Sequence, residues 1–455
     1  MKRKIAIVGL GETGLACVDF FVSQNIPVFV IDSRDNPPKS KECETKYPSV
    51  PIYTGGFPKE ILYSAETIVL SPGISKHHPD LLKNISEKAE MIGEIELFAR
   101  HIQKPIPKIA ITGSNGKSTV TTLVGEMAKA SKMNVAVGGN LGTPAITLLN
   151  QNPELYVLEL SSFQLETTDS LKPTVATILN ICPDHLDYHA SEEAYVAAKL
   201  RIYKDCEKIV YNRQDVALTQ VLIKHFTRDV FNTIPKISFG LDEPAEDQYG
   251  LLKDKHNPQE LMIARGKEAL LPISKIGLFG RHNVANVLAA LALGESIHLP
   301  LSAMLSAVEN FKGLPHRCEW VRELEGVQWI NDSKGTNVGA TVAALQGLSK
   351  DISGKWVIIL GGLGKNADFS PLKPVIMEHC RSAILIGQAK DELADLLRPD
   401  VACVSATSLQ EAVAMATKMT LPGDGVLLSP ACASYDMFKN YEERGNVFKQ
   451  ATLSL

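Results

Sequence analysis

Two loops of different kinds carry the phosphate chemistry that this sequence advertises. The stretch "KIAITGSNGKSTVTTLV" (residues 108–124) reads as a strand, a glycine-bearing loop and the start of a helix. Gly113, Ser114, Asn115 and Gly116 would offer backbone N–H groups to a nucleotide triphosphate. Lys117 would reach its outer phosphates, and the hydroxyls of Ser118 and Thr119 would meet a magnesium ion. The loop departs from G-x-x-x-x-G-K-[ST], since Ile111 stands where the first glycine belongs. A Gly-Ser turn with a surface lysine is the plainer alternative, and the strand–loop–helix setting argues against it. Far earlier, Gly9-Leu10-Gly11-Glu12-Thr13-Gly14 matches G-x-G-x-x-G, and Asp32 closes the next strand at the spacing of a ribose-binding acid. Such a loop brings a diphosphate to a helix N-terminus, where unpaired N–H groups favour anions. Alone it points to NAD or FAD, or to a tight turn with no ligand; it does not settle which diphosphate binds.

Further polar groups stand where strands end. Glu159 closes "LYVLEL" ahead of Ser161, Asn140 lies in "VGGNLGTPA", and His185 follows Asp184 in "NICPDHLDYH". Magnesium needs only one or two protein carboxylates beside phosphate oxygens. Glu159 and Ser118 are therefore the first candidate ligands, with His185 a weaker one because a lone histidine is as often a capping or core residue. Lys199, in "EEAYVAAKLRIY", has the look of a solvated helix-face lysine. Nearer the C-terminus, "WINDSKGTNVGAT", "VIILGGLGKNADF" and "LLSPACASYDMFKNYEERG" each put Lys, Thr or Ser at a strand end. Lys334 and Lys365 could hold a carboxylate or a leaving phosphate, which suggests a small acidic substrate; ordinary loop lysines explain any one of them singly.

The elements that must position these groups are parallel α/β units, because short β-branched runs alternate with amphipathic stretches along nearly the whole chain. Strands are predicted at 4–8, 28–31 and 67–70, then 109–112, 134–138, 155–160 and 174–180, then 327–331, 356–360, 383–386 and 425–429. "ARHIQKPIPK" (99–108) and "ENFKGLPHRCEWV" (309–321) read as linkers. The fold class is α/β with three domains, at 1–94, 95–313 and 314–455. That agrees with 455 residues at roughly 150 per domain. Polar clusters at so many strand ends fit one shared cleft.

Composition excludes several classes. With 45% hydrophobic and 22% charged residues the chain is an ordinary globular protein. A net charge of -4 with no basic stripe argues against nucleic-acid binding. No run is long and apolar enough to span a membrane, and the basic N-terminus turns into a glycine loop rather than a cleavage site. Eight scattered cysteines without a Cys-x-x-Cys pair suit reduced thiols in the cytoplasm, not a disulfide frame or zinc site.

Taken together, "GSNGKST", "LELSSFQLE", "AAKLRIY", "HN" at 282–283 with Asn286, "GLPHRCE", "NDSKGTN", "GGLGK" and "SPACAS…FKNYEERG" resemble the Mur ligase family, in its order and across all three domains. "SPGI" near the N-terminus and the C-terminal motif point to the D-glutamate-adding member. The Asp-Asn-Pro-Arg motif of the meso-diaminopimelate-adding members does not occur. The resemblance implies a Rossmann-like domain for a UDP-sugar substrate, a central P-loop-type ATPase domain and a Rossmann-like domain for the amino acid. Two phosphate loops then serve one reaction. One nucleotide is the substrate's handle, and ATP drives amide formation through an acyl phosphate, in the cytoplasmic stage of peptidoglycan synthesis and so in cell-wall growth, cell shape and division.

On that resemblance Lys117, Glu159, His185 and Lys199 are catalytic. Two Mg²⁺ ions are implied, with Ser118, Glu159, His185 and an N-carbamylated Lys199 as ligands. Asn283, Asn286, Arg317 and Asp332 would join the Lys117 loop in holding ATP. Glu12, Thr13, Asp32 and Arg34, then Ser71, Pro72 and Gly73, with Asn140 and Ser161, would hold UDP-N-acetylmuramoyl-L-alanine. Thr336, Lys365, Ser434 and Tyr441 would hold D-glutamate, and a monomer is expected. Three residues depart from the family's habit: Glu12 beside a diphosphate, Leu363 for Asp in "GGLGK", and Tyr441 for Phe. The competing classes are a nicotinamide oxidoreductase, a non-catalytic nucleotide-binding regulator and a folylpolyglutamate synthase. The first leaves the Lys117 loop unexplained, the second would not hydrolyse ATP on adding an amino acid, and the third lacks such an N-terminal domain.

Overall fold

Strands such as IAIV (Ile5–Val8) and TIVL (Thr67–Leu70) are buried along their whole length, the pattern of parallel strands covered on both faces. The computed structural model describes residues 4–455 except 182–187, 190, 256, 350, 365 and 366. The chain packs as two units, Met1–Leu252 with Ala264–Leu270 and Leu288–Ala307, and Lys253–Ile263 with Leu271–Val287 and Val308–Leu455.

The first unit begins with a five-stranded sheet, in the order Ile52–Thr54, Val28–Asp32, Ile5–Val8, Thr67–Leu70, Glu90–Gly93. All four pairings are parallel. The strand order reverses beside Ile5–Val8, which is where an open α/β sheet leaves a crevice for ligands. The same unit carries six consecutive parallel strands of a larger sheet: Lys236–Phe239, Lys208–Asn212, Val175–Ile178, Lys108–Thr112, Leu155–Glu159 and Val135–Gly139. Lys108–Thr112 sits between Leu155–Glu159 and Val175–Ile178, so the loops after these three strands emerge side by side.

In the second unit the order is Glu319–Leu324, Val327–Asn331, Gly425–Leu428, Trp356–Gly361, Cys380–Ile386, Ala402–Ser405. Here the first pair is antiparallel and the others parallel. Gly425–Leu428 lies between Val327–Asn331 and Trp356–Gly361, which brings the three polar motifs of this region to one edge. Glu319–Leu324 falls in a stretch expected to be linker. Its side chains are half or fully exposed, so it lacks the apolar run that marked the inner strands. It forms because Glu325 and Gly326, at φ of 52° and 76°, make a two-residue hairpin turn of the type that needs positive φ at both positions.

The first two sheets meet through two neighbouring glutamates. Helix Glu94–His101 begins directly on the last strand of the five-stranded sheet. Glu96 accepts from the amides of Asp169 (2.6 Å) and Ser170 (2.8 Å), the Ser170 hydroxyl (2.5 Å) and Arg100 Nε (2.7 Å). Burial would raise its carboxyl, but these donors outweigh burial and hold it at about 2. Glu94 accepts only from the start of helix Ala145–Leu148, with the Ile146 amide at 2.5 Å, and its second oxygen is buried without a donor among the described residues. Burial dominates there, and the carboxyl rises to about 7. The folded chain thus binds this proton more tightly than the unfolded chain. Stability attached to Glu94 falls as pH rises from about 4.5 to about 7. In thermal unfolding, Glu94→Gln should gain on wild type across that window by up to ~3 kcal/mol. A difference that stays flat with pH would contradict this.

Candidate active site

The loop after Ile5–Val8 is shaped by glycine where nothing else fits. Gly9 has φ 98°, and a Cβ on Gly14 would stand 1.9 Å from the Gly9 carbonyl oxygen, so helix Glu12–Ser23 can start this close to the strand. Ser71 closes the other side, its hydroxyl donating to Gly9 O at 2.8 Å. Between these loops and residues 32–34 lies a cleft of about 450 Å³ lined by Gly11, Glu12, Thr13, Arg34, Pro72 and Gly73 among others. Asp32 is buried, with Leu10 N on Oδ2 at 2.7 Å and Arg34 on both oxygens at 2.8 and 2.6 Å. Burial opposes ionisation, yet these donors hold the carboxyl below its usual range. Its oxygens thus serve the chain itself, locking the glycine loop and aiming the half-exposed Arg34 at the cleft. Glu12, in the lining of this cleft, pairs with Lys39 at 2.6 Å.

In the larger sheet the Lys117 loop leaves Lys108–Thr112 and enters helix Lys117–Ala130, with Gly113 at φ 153° and Gly116 at φ 82°. Asn180, beyond the neighbouring strand, clamps the loop: its side chain accepts from Asn115 N (2.8 Å) and donates to Asn115 O (3.1 Å), and its carbonyl accepts from Ser114 N (3.0 Å). Lys117 Nζ donates to the carbonyls of Gly113 and Ser114, both at 2.9 Å. Lys199 is 2% exposed, not solvated, and donates to the same Gly113 carbonyl at 3.0 Å. One turn earlier on its helix, Tyr195 bonds Ser114 Oγ at 3.0 Å and lies under the Lys199 ammonium at 4.5 Å. Two lysine side chains thus converge on one carbonyl of this loop.

Glu159 is buried beside this loop, paired in register with Ile111. Asn140 Nδ2 donates to its Oε1 at 2.7 Å, and Asn140 N to its carbonyl at 2.8 Å. Oε2 is buried and has no hydrogen-bond donor among the described residues. A buried carboxylate oxygen in that position is costly unless a cation meets it, so the donor set fits magnesium. Ser118 is buried in the first turn of the loop's helix. Ser161 caps helix Ser162–Glu166 with Gln164 completing a capping box, which fixes the turn after Glu159. His185 lies outside the described residues. Sequence reasoning missed His189, which is buried against Phe163 and Tyr195 with Nε2 3.0 Å from Ser162 Oγ. The i, i+4 spacing of Tyr195 and Lys199 was the available signal for that cluster.

In the second unit, Asn283 donates to Phe279 O at 2.7 Å and accepts from Asn286 at 3.0 Å, so the two amides act as one group. Asp332 is buried, accepting from Cys318 N (3.1 Å) and Ser429 Oγ (2.7 Å). Burial, only partly offset by those donors and by Arg317, pushes its carboxyl up to about 6. The loops after Asn331 and Leu428 are tied by Ala431 N to Gly335 O at 2.9 Å, and Leu363 bridges to Ala433. Thr336 and the buried Ser434 stand on these loops; Lys365 is outside the described residues. Leu363 uses its backbone N–H and carbonyl in that bridge, which any side chain allows.

Arg444, present in the "YEERG" motif but given no role from sequence, is the buried tie of this region. It donates from Nε to Ser333 Oγ (3.0 Å), from Nη2 to Ser333 O (2.8 Å) and from Nη1 to Cys432 O (3.1 Å). Burial pushes its guanidinium down to about 10. Arg444→Met should lower the unfolding temperature markedly, since each buried acceptor left unpaired costs roughly 1–3 kcal/mol. An unchanged temperature would contradict the assignment.

Comparison with known proteins finds three family models in succession along the chain. The Mur ligase MurD-like N-terminal domain matches residues 3–93, the Mur ligase middle domain 111–294, and the Mur ligase glutamate ligase domain 316–432. A curated relative, the UDP-N-acetylmuramoylalanine–D-glutamate ligase of Pseudomonas savastanoi pv. phaseolicola, is 48% identical over 98% of this chain and 96% of its own. Among solved structures, the MurF ligase of Thermotoga maritima in complex with ADP aligns with a TM-score of 0.60 at 15% identity, over 94% of this chain and 95% of that one. Folylpolyglutamate synthase of Mycobacterium tuberculosis aligns at 0.59 and 16% identity, over 78% of this chain and 94% of that one. These two share the fold alone. With three successive domain models matched and nearly half its residues shared with a D-glutamate ligase from end to end, the chain belongs to the Mur ligase family, in its D-glutamate-adding branch.

Proposed function

We infer that the chain joins the amine of D-glutamate to the carboxylate of UDP-N-acetylmuramoyl-L-alanine, consuming ATP and releasing ADP and phosphate, as a step of peptidoglycan synthesis. End-to-end identity with D-glutamate ligases supports the substrates. The observation that carries the chemistry is Lys117 held on the carbonyls of its own glycine loop, with the buried, donor-free oxygen of Glu159 on the neighbouring strand. No observation favours a nicotinamide oxidoreductase, since Asp32 already spends both carboxylate oxygens on Leu10 and Arg34.

A carboxylate does not form an amide with an amine at neutral pH, because hydroxide is a poor leaving group. Transfer of the γ-phosphate of ATP to that carboxylate gives an acyl phosphate. The D-glutamate amine then attacks the acyl carbon, and the tetrahedral intermediate collapses to amide and phosphate. The first transfer brings two anions together, so charge must be neutralised around it. Lys117 supplies one positive charge from the loop, and the loop N–H groups orient the phosphates. Magnesium, when bound, adds Lewis-acid neutralisation of those phosphates, with Glu159 and Ser118 as the residues to hold it. Asn140 keeps the Glu159 carboxylate in place.

In the same proposal two magnesium ions take part, His185 completes their ligands, and Lys199 is carbamylated. The ammonium would first lose a proton, and the free amine would then add through nitrogen to CO₂ with loss of a second proton, turning a cation into a carbamate anion. Burial of Lys199 against the Gly113 carbonyl of this loop supports this, because it places the amine at the loop rather than in solvent. We assign residues 1–94 to the UDP-substrate, 95–313 to ATP and 314–455 to the amino acid. Arg34, Thr13, Ser71, Asn140 and Ser161 face the UDP-substrate in this assignment. Asn283, Asn286, Arg317 and Asp332 serve the adenosine side of ATP, and Thr336, Lys365, Ser434 and Tyr441 serve D-glutamate. The protein would act as a cytoplasmic monomer; among the described residues no helix is long and apolar enough to cross a membrane.

Phosphate release with Mg-ATP and UDP-N-acetylmuramoyl-L-alanine should appear with D-glutamate and not with L-glutamate, meso-diaminopimelate or L-lysine. Release with another amino acid would reassign the third domain's pocket. Lys117→Ala should lower turnover by at least roughly 10²–10³. Isotopically labelled bicarbonate should give a carbamate signal by NMR in wild type that Lys199→Ala abolishes; its absence from wild type would remove carbamylation.

A further inference from the structure

The turn that leaves the last strand of the five-stranded sheet holds both chain segments that flank Glu159. One segment follows Val135–Gly139 and carries Asn140; the other follows Glu159 itself and enters helix Ser162–Glu166. We propose that Glu94, at the start of helix Glu94–His101, is a positioning residue for the Glu159 carboxylate, setting the Asn140 loop through helix Ala145–Leu148. The proposal rests on the reading of Glu159 as a magnesium ligand. It adds the residue that places this ligand relative to the sheet assigned to the UDP-substrate.

Asn140 donates its amide N–H to the Glu159 carbonyl at 2.8 Å and its Nδ2 to Glu159 Oε1 at 2.7 Å. Gly139, at φ 95°, permits this approach, since a Cβ there would stand 2.4 Å from the Glu159 carbonyl oxygen. Beyond Asn140 the loop is half or fully exposed and closes on itself, with Gly139 N donating to Thr143 O at 2.9 Å and Thr143 N to Leu141 O at 2.8 Å. A short loop of that kind takes its position from its two ends. One end is the strand. The other is the buried start of helix Ala145–Leu148, where Ile146 N donates to Glu94 Oε1 at 2.5 Å. The same turn holds the second flank. Gly93 N donates to Thr167 O at 3.2 Å, just past helix Ser162–Glu166, and a Cβ on Gly93 would stand 2.2 Å from Thr167 Oγ1. Glu96 holds the amides of Asp169 and Ser170 beyond it.

A carboxylate kept only as a tie is best saturated with donors, as Glu96 is. Glu94 instead leaves Oε2 buried without a donor among the described residues, which is costly to the fold. Such local conflicts are expected where function needs a fixed geometry. Glu159 is a place of that need, because the outer partners of a metal site orient its ligands. Glu94 also reaches across from the sheet whose Gly9 and Ser71 loops line the cleft assigned to the UDP-substrate. The contact thus relates that cleft to the metal carboxylate, the two ends between which the phosphoryl group must pass in this reading.

The test uses the full chain with Glu94→Gln, which keeps length and acceptor, Glu94→Met, which keeps length alone, and Glu94→Asp, which keeps charge but falls a methylene short. Mn²⁺ serves as the probe, its affinity read by electron paramagnetic resonance beside a non-hydrolysable ATP analogue. Amide hydrogen exchange at residues 140–146 reports the loop without any metal. Glu94→Met and Glu94→Asp should each weaken Mn²⁺ binding roughly 10–100-fold, as outer partners of a metal site do. Both should speed exchange at Asn140 and Ile146 and raise the KM for UDP-N-acetylmuramoyl-L-alanine, with the KM for D-glutamate held. Glu94→Gln should restore most of the affinity, and should Glu94→Met not fold, Glu94→Asp carries the same comparison. The double variant Glu94→Met/Asn140→Ala should bind Mn²⁺ no worse than Asn140→Ala alone. Additive losses, a Glu94→Gln protein as weak as Glu94→Met, or a KM for D-glutamate that moves as far as the Mn²⁺ affinity would overturn the proposal. Glu159→Gln tests the reading beneath it: unchanged Mn²⁺ binding there would remove Glu159 as a magnesium ligand. Exchange at Asn140 and Ile146 would then decide alone, faster in Glu94→Met if Glu94 sets the loop and unchanged if it does not.

Discussion

Parallel pairing is the constraint on which the rest depends. Strands that all run one way send all of their outgoing loops to one edge, so polar motifs distant in sequence become neighbours. In the five-stranded sheet this joins the Gly9 loop, Asp32 and Ser71 across the point where strand order reverses. In the larger sheet it sets the Lys117 loop between Glu159 and Asn180. In the C-terminal sheet it gathers "NDSKG", "GGLG" and "SPACAS" around the strand Gly425–Leu428. Each edge thus collects loops and helix starts, the setting in which backbone N–H groups can meet an anion.

Buried charge is used in two opposite ways. Glu96, Asp32 and Arg444 are charged groups saturated by the chain's own partners, and they act as ties. Glu159 and the two lysines of the phosphate loop are arranged for something more. Oε2 of Glu159 is buried with no donor among the described residues, and both lysines reach the Gly113 carbonyl, an arrangement consistent with the metal and phosphate site proposed above. Functional groups held under such strain are the expected exception to local consistency.

The departures from family habit resolve differently. Glu12 is paired with Lys39, and Leu363 contributes backbone to its bridge with Ala433. Tyr441 keeps the aromatic face that Lys334 rests against. A substitution read from sequence as a threat to affinity is thus judged by which atoms of the residue are used.

The sequence by itself determined the α/β class, the inner strands of all three sheets, the two glycine-bearing loops and the place of Glu159 at a strand end, because apolar runs and glycine spacing are local properties with local causes. It also carried the family, through motifs spread over the whole length. It did not reveal the hairpin strand Glu319–Leu324, whose exposed face lacks an apolar signature and whose turn depends on two positive φ angles. Nor could it tell that Lys199 is buried on the phosphate loop, that Asp32 is spent on Arg34, or that Arg444 and Tyr441 reach back to residues 333 and 334. Those facts belong to the tertiary structure, since burial and partner choice arise only when strands separated by many residues are laid side by side.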